Sequence, residues 1–236
     1  MKGYHKPTKT IGMKRFFKPY VGSNYNEGIR GKKILVLGAS FYCGVHDCPY
    51  FTKCTSVEQK DSSSYNAICP PYAESGTKLS DEPTTCITDG TKTYQRFVDY
   101  MGKFVGSDDY DEIWEHMAFT NYVQFFLPLD KGETFRKTHS SDLSERDFWA
   151  SIETMKELQP DIVIAWGSVI NSPLKEHNPY LVDPKELQET EYYVCHLNVP
   201  GIQHPVALIN PYHPSSRAWY RELEEFDYYF NNLLNR

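Results

Sequence analysis

The residues of this 236-residue chain that could do chemistry fall in four short stretches, each directly after an apolar run. They are Gly38-Ala-Ser-Phe-Tyr-Cys-Gly44, Thr120-Asn121, Trp166-Gly-Ser168 and Asn210-Pro-Tyr-His-Pro-Ser-Ser216. Several chemistries are open to them. A glycine-bracketed turn after a buried strand can cradle a pyrophosphate, but Phe41 stands midway between Gly38 and Gly44, where a dinucleotide loop needs a small residue. Cys43 with a histidine partner could be a nucleophile. Cys43, Cys48, Cys54, Cys69 and Cys86, with His46, could bind zinc, yet no Cys-x-x-Cys occurs and the spacing fits no standard ribbon or finger. Reduced, partly buried thiols are the simpler reading. Taken alone, His213 is a surface-turn histidine, and Asn121 satisfies backbone groups in a turn.

The elements that would have to position these residues read as an α/β domain. The runs 34–37, 117–120, 161–166 and 205–209 are short and apolar, as expected of strands buried on both faces of a parallel sheet. Residues 192–199 could add a strand. Helical spacing appears over 91–105, with Tyr94, Phe97, Val98, Met101 and Phe104 on one face. A short helix is expected at 109–116. Another is expected behind Ser144-Glu-Arg-Asp147, a capping-box pattern with Asp in the Glu position. A last helix, about 216–234, points Trp219, Leu223, Phe226, Phe230 and Leu233 inward. Strands alternating with helices predict a three-layer α/β/α sandwich around a mainly parallel four-stranded sheet. Parallel order puts the four polar stretches on one edge, where open α/β sheets bind ligands.

Length predicts a single domain over 1–236. No run of eighteen apolar residues and no signal-like segment is present, so the expectation is a cytoplasmic monomer without membrane contact. Net charge is −6, unevenly spread. Residues 1–33 hold nine Lys/Arg against Glu27 alone. Residues 1–30 therefore read as a basic arm, with Phe16, Phe17 and Tyr20 as anchors. Such an arm could meet a phosphate backbone or lie on its own acidic body. Residues 45–90 show no helix or strand pattern and read as a cysteine-containing insertion that forms a lid or wall beside the first loop.

In this order the four stretches resemble the motifs of the uracil-DNA glycosylase superfamily. Gly38–Gly44 is similar to the water-activating loop, Phe119-Thr-Asn-Tyr122 to the strand end that reads the base, and residues 162–168 (IVIAWGS) to a structural strand. His213-Pro-Ser-Ser216 is similar to the His-Pro-Ser loop. The resemblance implies a protein that hydrolyses the N-glycosidic bond of uracil or another deaminated base in DNA, with no cofactor and no metal. His213 would donate to the uracil O2, helped by backbone N–H groups near Ala39 and Ser40. The Asn121 amide would pair with the N3–H and O4 edge. Tyr42 would exclude a thymine methyl, Ser215 would hold a phosphate with Ser40 as a second contact, and Tyr50 or Phe51 would stack on the base. Arg217 stands where the family often has an apolar wedge. Ser40 replaces the loop aspartate, Phe41 the proline and Cys43 the histidine. Serine carries no charge at neutral pH, so it cannot balance a sugar cation. The alternative implied is a weak or inactive protein of the same fold that binds nucleic acid or a nucleotide.

Overall fold

The computed structural model describes residues 15–47, 78–183, 185 and 194–236. Eight strands are found among them: β1 (Tyr20–Val21), β2 (Ile34–Gly38), β3 (Phe41–Cys43), β4 (Met117–Asn121), β5 (Phe126–Pro128), β6 (Ile162–Ala165), β7 (Val194–Leu197) and β8 (Val206–Ile209). The main sheet runs β1-β4-β2-β6-β8-β7. Its four inner strands, those expected from the apolar runs, are mutually parallel. Two antiparallel edge strands bring the count to six rather than four. The β7 edge falls within the stretch 192–199, whose first two residues lie outside the described set. The β1 edge is two residues long, too short for a side-chain period to be legible.

Among the described residues five α-helices accompany the strands: α1 (Glu82–Asp89), α2 (Lys92–Val105), α3 (Tyr110–Glu115), α4 (Glu145–Leu158) and α5 (Leu223–Leu234). On one face of the sheet, Ile34, Val36, Met117, Phe119, Ile162 and Ile164 pack with α2, α3 and α5. On the other, Leu35, Leu37, Val163, Ala165, Val206 and Leu208 pack with α4. Alternation along each strand therefore feeds two cores, which is why the inner strands are apolar throughout. The first core is dense in rings. Tyr94, Phe97 and Phe119 surround Trp166 at centroid distances of 5.8, 4.9 and 5.5 Å. Such pairs add about 0.5–1.5 kcal/mol each beyond burial.

The α1 helix lies inside the segment expected to be irregular. Pro83 sits in its first turn, where the missing N–H costs nothing, and Gly90 stops it at φ +59°. Its composition, EPTTCITD, offers too few apolar positions to show a period. The last helix begins at Leu223, seven residues after the expected start, because a 3-10 turn at Trp219–Arg221 precedes it. The capping box of α4 is formed: Ser144 N–H donates to Asp147 Oδ2 at 2.8 Å. The described part of the arm is built into the fold. Phe16 and Phe17 are buried, and Tyr20 packs on Trp114. Among the described residues no helix is long and apolar enough to cross a membrane.

Candidate functional site

Parallel order places Gly38, Asn121, Trp166 and Asn210 at the same edge of the sheet, on the neighbouring strands β2, β4, β6 and β8. The loops beyond these ends are stitched to one another. Tyr122 N–H and Val123 N–H donate to Gly38 O and Ala39 O, at 2.8 and 3.0 Å. Trp166 N–H donates to Leu37 O at 2.8 Å, and Gly167 N–H to Pro211 O at 3.0 Å. Asn210, buried, donates its amide to Ala165 O at 2.6 Å and to Gly167 O at 3.0 Å.

Asn121 is the last residue of β4 and shares its face with Phe119 and Met117, so its side chain belongs to the aromatic core side. Gly38, its register partner on β2, makes room for it. A β-carbon at Gly38 would lie 2.0 Å from Asn121 Oδ1. The glycine is therefore required for close approach, not for turn geometry, since its φ is not positive. The expected tight turn between Gly38 and Gly44 is corrected accordingly: it contains β3, paired in parallel with β5 through Phe41–Phe126, Tyr42–Leu127 and Cys43–Pro128. Phe41 turns inward against Phe17 and Phe119.

His213 lies on the same face as Asn121. Its ring meets Trp166 edge-on, with centroids 5.6 Å apart, and Trp166 in turn contacts Phe119. Gly167, at φ +90°, brings the chain past the histidine; a β-carbon there would be 3.6 Å from His213 Cβ. The environment fixes the ring's protonation. Burial pushes its pKa from the ordinary 6.5 down to about 4. Ser215 N–H, which can only donate, points at Nδ1 from 3.2 Å, and Ser215 Oγ lies 2.7 Å from the same nitrogen. Nδ1 is therefore the acceptor, and the neutral ring carries its proton on Nε2. What results is a neutral imidazole with a single N–H donor, on Nε2. The Ser215 hydroxyl, expected on a phosphate, is here engaged with the histidine. Arg217 is exposed two residues further on.

Ser40 and Tyr42 form a second cluster with a residue the sequence did not single out. Thr138 Oγ1 is 2.6 Å from Ser40 Oγ and 3.2 Å from the Tyr42 hydroxyl. Thr138 is buried, and it arrives from the loop between β5 and α4, which the Arg136–Asp142 ion pair closes. A threonine in a polar loop carries no sequence signal for such a role. Gln124 is the other omission. It is a polar residue in an otherwise apolar run, a pattern that demands buried partners, and it is buried with four hydrogen bonds to its side chain.

Among the described residues no group of three or more His, Cys, Asp or Glu side chains is placed to hold a metal. Cys43 and Cys86 are half-buried and Cys195 is buried; burial pushes the Cys86 thiol up to about 12, which keeps it protonated. Cys48, Cys54 and Cys69, the stacking candidates Tyr50 and Phe51, and residues 48–77 of the expected lid lie outside the described residues, as do residues 1–14 of the arm. Compared with models of known protein families and with curated proteins, the chain matches none.

Proposed function

We propose that this protein is a uracil-DNA glycosylase-like hydrolase, which cleaves the N-glycosidic bond of uracil or another deaminated base in DNA. One observation carries the reading: Asn121 and a neutral His213 with its proton on Nε2 share one face at the C-terminal edge of a parallel sheet. The reaction breaks the bond between the sugar C1′ and the base nitrogen. Both electrons leave with the base, the sugar becomes oxocarbenium-like, and water completes the hydrolysis. Charge gathers on the base oxygens only as the bond breaks. A fixed N–H donor aimed at that oxygen stabilises the transition state more than the ground state. The ring is neutral at pH 7 because burial disfavours the imidazolium form, and its single proton sits on Nε2 because Nδ1 accepts from Ser215 N–H. The Asn121 amide has one donor and one acceptor side, which matches the N3–H and O4 edge of uracil and mismatches cytosine. A duplex substrate requires the base to be extruded first. Arg217 faces the flanking backbone in this reading, Ser215 holds the tautomer of His213 through Nδ1, and Tyr42 limits the size of the base.

The Ser40–Thr138 pair supports a second reading. Two hydroxyls 2.6 Å apart can orient a water molecule but supply no negative charge to the sugar cation. A slow enzyme, or a binding protein that retains the base-reading edge, is the outcome if nothing else compensates. Base release from single- and double-stranded oligonucleotides carrying uracil, hypoxanthine or xanthine separates the two. Release of one of these bases, lost in His213→Ala, supports the hydrolase. Tight binding of the same oligonucleotides without release supports the binding protein. Neither release nor binding overturns both.

A further inference from the structure

Gln124 uses the full capacity of its side chain. Oε1 accepts Phe16 N–H at 3.1 Å and Phe17 N–H at 3.2 Å. Nε2 donates to Asn121 O at 2.8 Å and to Tyr122 O at 3.4 Å. The amide orientation is unambiguous, because two of these partners can only donate and two can only accept. Gln124 N–H donates to Asp147 Oδ1 at 2.8 Å, and Asp147 is fully buried at the start of α4. The four residues from Asn121 to Gln124 are thus held from three sides: by the Gly38–Ala39 backbone, by α4 and by the N-terminal segment. That segment is itself fastened. Arg15 pairs with Glu157 at 2.7 Å, Lys18 N–H donates to Ser80 O at 2.8 Å, and the Phe17 ring packs on Phe41 and Phe126.

We propose that Gln124 is a positioning residue that locks the strand end presenting Asn121, and that through it residues 15–18 of the basic N-terminal segment become part of the site. Satisfying a buried amide does not require this arrangement. The side chain could have closed locally on the turn, yet its acceptor side reaches more than a hundred residues back in sequence while its donor side holds the carbonyl of Asn121. Any displacement of residues 15–18 leaves two lone pairs of a buried amide unmatched, and the cheapest relief is rotation of Gln124 away from Asn121 O. The functional consequence rests on Asn121 reading the base; the mechanical linkage does not.

Two substitutions separate the two sides of the amide. Gln124→Glu keeps the acceptor for Phe16 and Phe17 but removes both donors and faces the Asn121 and Tyr122 carbonyls with a carboxylate. Gln124→Met, of similar length, removes both sides. The first readout is trypsin cleavage of the folded protein after Arg15, since the Lys18–Pro19 bond is not a trypsin substrate. Cleavage stays as slow as wild type in Gln124→Glu and rises roughly tenfold in Gln124→Met, the ratio expected for about one lost hydrogen bond's net contribution. The second is the side-chain amide signal pair of Asn121 in a ¹H–¹⁵N spectrum, assigned by its loss in Asn121→Ala. It shifts or broadens in both variants. The third is discrimination between uracil and cytosine in release or binding, which falls in Gln124→Glu towards the level of Asn121→Ala. Unchanged Asn121 amide signals in both variants would overturn the proposal. If Asn121→Ala alters discrimination and Gln124→Glu does not, Gln124 is structural and the proposal fails while the base-reading role stands. If Asn121→Ala alters nothing, the base-reading role fails, and the amide signals and the cleavage rates still decide the linkage.

Discussion

The Oδ1 atom of Asn121 occupies the space where a side chain on Gly38 would begin. A β-carbon at position 38 would stand 2.0 Å from that oxygen and 3.3 Å from Phe119 Cε2. The two residues are register partners on adjacent parallel strands, so neither can retreat without disturbing the ladder. Gly38→Ala is therefore expected to expel the amide from its present position. Overpacking of this kind typically costs ~1–3 kcal/mol. The double variant Gly38→Ala/Asn121→Ala removes the clashing oxygen, so its destabilisation should be smaller than the sum of the two single costs. Chemical denaturation of the four proteins measures this; additive costs would mean that the two side chains do not compete for the space.

His213→Ala should act on the rate and hardly on binding. Removing one donor aimed at developing charge usually costs ~2.7–4 kcal/mol, or roughly a hundred- to a thousand-fold in the chemical step. Single-turnover base release at saturating protein isolates that step. Wild-type release with an unchanged rate in His213→Ala would remove His213 from the mechanism.

Acid should weaken the fold through the same residue. The folded pKa of His213 is about 4, below the ordinary 6.5 that the unfolded chain recovers. Between those values the unfolded chain binds a proton that the folded chain refuses. Stability assigned to this group is thus complete above 6.5 and declines as the pH falls towards about 4. Thermal melting of wild type and His213→Ala at neutral pH and at mildly acid pH should show the difference between them moving against wild type in acid. For the same reason the release rate should carry no titration near 6.5, since the ring is already neutral there; a midpoint near 6.5 in the rate profile would show that the ring protonates freely.

Ser40→Asp should raise base release, because a carboxylate at this position supplies the negative charge that a sugar cation lacks beside Ser40. Thr138 can donate to that carboxylate as it now pairs with the serine hydroxyl. The gain should therefore be smaller in Ser40→Asp/Thr138→Val. On the wild-type background, Thr138→Val should also cost about 1 kcal/mol of stability, as it unpairs the Ser40 and Tyr42 hydroxyls. Equal release rates for wild type and Ser40→Asp would exclude charge at position 40 as the limiting factor.

Gly167→Ala tests the support behind the histidine. At φ +90° and ψ 153° the backbone is in a region nearly confined to glycine, so the substitution should cost ~1–3 kcal/mol. Its β-carbon would make only ordinary contact with His213 Cβ at 3.6 Å, so relaxation of the strained backbone beside the histidine is what should slow release beyond a remote variant of equal stability. Rates that track stability alone would make Gly167 a purely structural requirement.

Features governed by a local period are legible in the residues alone. Four apolar runs gave four parallel strands, and the 3.6-residue spacing of Tyr94, Phe97, Met101 and Phe104 gave a helix packed by those residues. The Ser144–Asp147 box gave a helix start. Parallel order then requires Gly38, Asn121, Trp166 and Asn210 to share an edge, whatever their side chains contact. Contacts between residues distant in the chain emerge only in the folded molecule. That Asn121 and His213 fall on one face follows from the pleat of β4, which puts Asn121 beside Phe119, and from Trp166 touching both Phe119 and His213. That Gly38 is a glycine for Asn121, and not for a turn, follows from the register of two strands whose paired residues are far apart in sequence. Thr138 joins Ser40 and Tyr42 across about the same distance along the chain, and Gln124 meets Phe16 and Phe17 from the opposite direction. A hydrogen bond leaves no period in a sequence, because only its two ends are specified and the chain between them is free to vary. The short edge strand β1 and the helix α1 escaped for a related reason: two residues cannot show alternation, and an eight-residue helix with two buried side chains cannot show a stripe.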